Sequence, residues 1–107
     1  MPPITHIVLF RWQPDTSAQA IDAVVEGLQE LPARVPGILE LEVGANFSDR
    51  SQGYELALLV RFADRAALEA YGRHPDHLKV VEERIKPHLD SLVVADYEAL
   101  PPRKPVR

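Results

Sequence analysis

The sequence predicts an α+β fold, a ferredoxin-like βαββαβ sandwich. Three observations predict it: four strand-like runs, two amphipathic helical stretches, and the order in which they follow one another. From Thr5 to Trp12 the chain is β-branched and aromatic, with His6, Val8, Phe10 and Trp12 on one face and Ile7, Leu9 and Arg11 on the other. Asp15, Thr16 and Ser17 then offer N-caps, and Ile21, Val24, Val25, Leu28 and Leu31 recur at helical spacing up to Pro32. After Pro36-Gly37, the run from Ile38 to Phe47 alternates, with Leu39, Leu41, Val43 and Ala45 opposite Glu40, Glu42 and Asn46. A polar turn leads to Tyr54–Phe62, where Leu56, Leu58, Val60 and Phe62 face away from Ala57, Leu59 and Arg61.

The second helical stretch is predicted to be broken. Asp64 caps a short piece carrying Leu68 and Tyr71 that Gly72 ends, and Pro75 suits the first position of a new piece with His74 as its cap. Leu78, Val81 and Ile85 continue its apolar stripe to Pro87, and Ser91–Tyr97 forms a last strand with Leu92, Val94 and Asp96 opposite Val93, Ala95 and Tyr97. With both helices on one face of the sheet, the other face is a contiguous apolar surface, which predicts a homodimer formed through sheet faces.

A chain of 107 residues, 46% hydrophobic and 26% charged, fits one domain over residues 1–100, and the proline- and cation-rich residues 101–107 are expected to form a flexible tail. The absence of cysteine excludes disulfides and thiolate chemistry. A net charge of -4 without a basic stripe argues against a nucleic-acid partner, and no apolar run approaches membrane-spanning length. The N-terminal residues lack secretory-signal character, so a cytoplasmic location is expected.

The chemistry concentrates in Tyr71, His74, His77 and Asp96. If His77 opens the second helical piece beside Asp96, the carboxylate fixes its tautomer, and a neutral imidazole then serves as general base toward a carbon flanked by carbonyls. Tyr71 would donate to the developing enolate oxygen, giving enolisation or aldol-type chemistry that needs no cofactor. Two other readings stand beside this one. His74 caps a helix, His77 satisfies a buried Asp96, and Tyr71 is core; or His74, His77 and a carboxylate hold a metal ion.

Taken together, the run from His6 to Trp12, Gly44-Ala45-Asn46, Tyr54–Phe62, the Tyr71-x-x-His74-Pro75-x-His77 pattern and Asp96-Tyr97 resemble the stress-responsive α/β-barrel (Dabb) family over nearly the whole chain. The resemblance implies a dimeric α/β barrel built sheet against sheet. It also implies a binding site for a small carbonyl-rich molecule, as in the olivetolic acid cyclase of the family, which performs an aldol cyclisation. By that resemblance His77, Tyr71 and Asp96 are the catalytic residues, and His6, Phe10, His74, Val24 and Leu28 border the substrate. No metal or cofactor is implied. The alternative the family leaves open is a non-catalytic, stress-associated structural dimer or oligomer.

Overall fold

A computed structural model describes residues 2–103. Strand β1 (Ile4–Trp12) leads to helix α1 (Ala18–Glu30), whose N-cap Ser17 accepts a hydrogen bond from the Ala20 N–H and which tightens into a 3₁₀ turn at Leu31–Ala33. Strands β2 (Ile38–Ala45) and β3 (Tyr54–Phe62) follow as an antiparallel pair. Asn46 fastens the turn between them by donating to the Tyr54 carbonyl (2.8 Å) and accepting from the Ser48 N–H (3.1 Å). Ahead of β2, Gly37 has a φ of 91°, and a Cβ there would lie 2.9 Å from that of Ala67, so both conformation and space demand glycine.

Helix α2 (Arg65–Arg73) is capped by Asp64, which accepts from the Ala67 N–H at 2.8 Å. It runs through Gly72 and stops at His74, held extended by the following proline. Helix α3 (Pro75–Val80) starts with Pro75 in its first turn and His74 Nδ1 accepting from the Asp76 N–H at 3.1 Å, then widens into a π-helical turn at Val81–Ile85. Strand β4 (Leu89–Glu98) closes the order.

The strands form one antiparallel sheet in the order β2-β3-β1-β4. This is the expected ferredoxin-like sandwich, with one correction: the sheet is not closed into a barrel. β2 and β4 are its two edges and do not pair with each other, because the strand order places β3 and β1 between them. The core lies between the sheet and the helices, built from Val8, Phe10, Leu56, Leu58, Val60 and Phe62 beneath Val24, Leu28, Tyr71 and Ile85.

Two local expectations change. A register shift between Ile38 and Glu40 turns Leu39 out of the apolar face, leaving it 61% exposed. The strand then ends at Ala45 rather than Phe47, which is exposed. On the sheet face away from the helices, the pairings Leu59↔Ile7↔Ala95 and Ala57↔Leu9↔Val93 form an apolar strip that no described element of the chain covers. Residues 101–103 have no regular structure and are exposed, and the rest of the expected tail, residues 104–107, lies outside the described residues.

Candidate functional site

A cavity of about 230 Å³ lies between the helix-facing side of β1 and β4 and the α3–π-helical segment. Its floor is Val8, Phe10, Leu58, Leu92 and Val94, and its roof includes Leu28, Tyr71, Val81 and Ile85. His6 and His77 line one end, and among the described residues Lys86 is the only other charged or titratable residue besides Tyr71 in the lining. An apolar cavity of roughly 150 Å³ is enough to take up benzene. The hollow under this sheet therefore has room for a compact organic guest.

The polar end is assembled from four elements, β1, β4, α2 and α3. Antiparallel pairing of the first and last strands sets His6 opposite Asp96, and His6 Nδ1 lies 2.5 Å from Asp96 Oδ1. The His6 side chain is 13% exposed and that of Asp96 43%, so the imidazole faces inward while the carboxylate reaches the surface. A carboxylate on Nδ1 makes that nitrogen the protonated one and leaves Nε2 as the ring's acceptor. Above it, Tyr71 is buried, its ring centroid 5.9 Å from that of His6 and 4.2 Å from that of His77.

His77 Nδ1 is buried without a hydrogen-bond partner. Burial lowers the His77 pKa below the ordinary 6.5, the nearby Gly72 backbone opposes the shift, and the neighbouring His6 and His74 add to it. The ring is therefore neutral at pH 7. Burial raises the Tyr71 pKa well above its ordinary value, so the phenol keeps its proton and acts only as a donor or acceptor of hydrogen bonds. The neutral state of His77 arises from desolvation.

The expected residues thus come together with a change of partner. His6, Phe10, Leu28, Tyr71 and His77 line the cavity. Asp96 joins the site through His6 rather than His77, because strand register places it beside β1. His74 is spent on the α3 cap, with Asp76 Oδ2 also 3.8 Å away, and does not reach the lining. Val24 is fully buried core and does not line the cavity. Among the described residues no three histidine, aspartate or glutamate side chains cluster closely enough to hold a metal ion, so the paired-histidine metal alternative finds no ligand set. Lys86, Val81 and Ile85 were not legible as site residues, because only the widened turn after α3 carries them over the hollow.

Residues 4–99 match the family described as Stress responsive A/B Barrel Domain, or Dabb. The chain belongs to the Dabb family. A curated relative, a stress-response A/B barrel domain-containing protein of Arabidopsis thaliana, is 26% identical over 98 residues. That match takes in 88% of this Dabb chain and 36% of the relative, so the chain spans about a third of that protein's length. Among solved structures, a dimeric ferredoxin-like protein of unknown function from Thermobifida fusca aligns with a TM-score of 0.81 at 28% identity over 92% of each chain. A hydroxynitrile lyase from Passiflora edulis aligns with a TM-score of 0.85 at 22% identity, over 96% of this chain and 98% of that one, and shares its fold. Among the described residues no helix of the Dabb domain is long and apolar enough to cross a membrane.

Proposed function

We propose that this Dabb domain binds a small carbonyl-bearing organic molecule in the cavity beneath the sheet and promotes its enolisation or aldol-type cyclisation without a cofactor. The observation that carries this reading is the buried, unpartnered Nδ1 of His77 beside Tyr71 at the polar end of an otherwise apolar hollow. A buried polar atom left without a partner loses its hydration with no return, and a polar group of a guest in the hollow would restore the lost hydrogen bond.

In this mechanism the neutral His77 takes the proton from the carbon next to the carbonyl. Tyr71, held protonated, donates a hydrogen bond to the enolate oxygen as charge develops there. The protonated His77 then returns that proton to product carbon or oxygen, while His6, its tautomer set by Asp96, offers Nε2 as a hydrogen-bond acceptor beside it. The similarity of the fold to a hydroxynitrile lyase supports a catalytic use of the scaffold and specifies no substrate.

We also propose that two copies pair through the uncovered apolar strip centred on Ile7, Leu9 and Leu59. Dimeric relatives, including the one from Thermobifida fusca, support this, and Leu9→Glu is expected to shift the protein toward monomer in size-exclusion chromatography with light scattering.

The catalytic reading is tested by proton NMR of phenylacetone in D₂O. The protein is expected to accelerate exchange of the hydrogens next to the carbonyl, and His77→Ala, folded by circular dichroism, to return the rate to background. Exchange at the same rate in both proteins would reject the assignment.

A further inference from the structure

The cavity is electrically polarised along its length. β1 carries His6 at one end and Phe10 four residues on, a span of about 13 Å at the usual rise per residue of a strand. Around His6 gather Tyr71, His77 and the carboxylate of Asp96. At the Phe10 end, Leu92 pairs with Phe10 and Leu89 with the next inward residue, Trp12, and the Leu89 N–H donates to the Lys86 carbonyl at 3.4 Å, which puts Lys86 at this end of the lining. The walls between are apolar. Lys86 lines the hollow while its side chain is 59% exposed, so it stands at the mouth, and the half-exposed Leu92 and Val94 mark the same open side.

We propose that Lys86 is an anion-binding residue of this cavity, and that the guest is an amphipathic organic acid lying lengthwise with its acidic group at Lys86 and its carbonyl end at the imidazoles. The orientation follows from charge. Asp96 already supplies a negative group at the His6 end and repels a second one, whereas Lys86 is the one full cation among the described lining residues. The ammonium now sits 2.6 Å from Glu82 Oε1, one helical turn back. Both partners of that pair are more than half exposed, and such pairs are held weakly in water, so a guest carboxylate competes with Glu82 for Lys86. The apolar body of the guest fills the space between Val8, Val94, Leu28 and Ile85 and displaces water from it. The lengthwise placement rests on the proposed function for what happens at the imidazole end; the role of Lys86 is a matter of binding alone and is tested without turnover.

The full chain carries its own reporter, because its one tryptophan, Trp12, stacks on the cavity residue Phe10 with centroids 5.4 Å apart. Titrations of octanoate and of octan-1-ol, followed by Trp12 fluorescence and by calorimetry, separate the acidic group from the chain. Octanoate is expected to bind more tightly than octanol, and Lys86→Met to weaken octanoate about three- to fivefold, the scale of one partly exposed ion pair, while leaving octanol within about 1.5-fold. Glu82→Gln, which frees the ammonium, is expected to tighten octanoate several-fold and leave octanol alone, a gain that a merely structural Lys86 would not give. Octanoate affinity unchanged in Lys86→Met, dependence of octanoate binding on His6 rather than Lys86, or failure of both probes to bind the wild-type protein would each overturn the proposal. Retained Lys86 selectivity with no deuterium exchange in phenylacetone would instead reject the catalytic reading and leave the acid-binding one standing.

Discussion

His6 and Asp96 stand 90 positions apart in the chain, yet their side chains meet at 2.5 Å because the first and last strands are neighbours and pair these two residues in register. The βαββαβ order makes that adjacency, and the pairing carries surface charge to an imidazole that lines the cavity. The carboxylate contributes by orienting the ring and choosing its tautomer rather than by stabilising the fold, since its exposed side keeps it in water.

Asp96→Asn should therefore change stability by less than about 1 kcal/mol while lowering the rate of proton exchange in phenylacetone about tenfold or more, because the amide no longer dictates which ring nitrogen is protonated. Denaturant titration and the NMR exchange assay check the two halves of this expectation together. A large loss of stability with an unchanged rate would assign Asp96 to structure.

The His77 pKa is depressed in the folded protein by burial, so its folded value lies below its unfolded value of about 6.5. The sign follows from linkage: below 6.5 the unfolded chain takes up a proton that the folded ring refuses, so the unfolded state binds more protons and stability falls as pH drops. This contribution is fully present above 6.5 and is lost progressively down to the depressed folded value. His77→Phe should flatten the part of the pH dependence that belongs to this ring as pH falls through and below its unfolded value of about 6.5, as measured by urea midpoints. An unchanged slope would remove His77 from the buried, neutral role.

Tyr71 is nearly fully buried and packs against Phe62, His6 and His77, so its ring and its hydroxyl are separable. Tyr71→Ala should cost about 3 to 5 kcal/mol through the void it leaves. Tyr71→Phe keeps the packing and should remain folded, with a melting temperature near that of the wild type, while the exchange rate falls by roughly tenfold to a hundredfold through loss of the donor to the enolate oxygen. An unaltered rate in Tyr71→Phe would confine the residue to the core.

The element order was legible because each element carries its own local signal. The period-two run of Tyr54–Phe62, the Asp64 cap and the Pro75 start after His74 all appear where the sequence places them. What escaped depends on long-range geometry. Nothing local distinguishes Leu39 from Leu41, yet a register shift exposes one and buries much of the other. The apolar sheet face was readable from Ile7, Leu9 and Leu59, whereas barrel closure does not occur, because edge strands β2 and β4 stay apart.

At the site, residue types were readable and partnerships were not. The proximity of Tyr71 and His77 follows from a short stretch of broken helix, a local relationship. The partner of Asp96 depends on which histidine the strand register brings to it, and the antiparallel pairing of the first and last strands was the available signal for His6. No local signal marks Lys86 for the site, and the π-helical turn at Val81–Ile85 is what carries it to the cavity mouth.

A guest that enters the hollow meets His6 and His77. Of the four histidines in the chain, these two line the cavity, while His74 and His88 do not and serve as internal controls. Histidine side-chain NMR during a titration with phenylacetone reads this encounter at each ring. Saturable shifts of the His6 and His77 ring signals are expected with His74 and His88 unmoved; shifts confined to His74 and His88, or none at saturating probe, would show that the hollow takes no guest at its imidazole end.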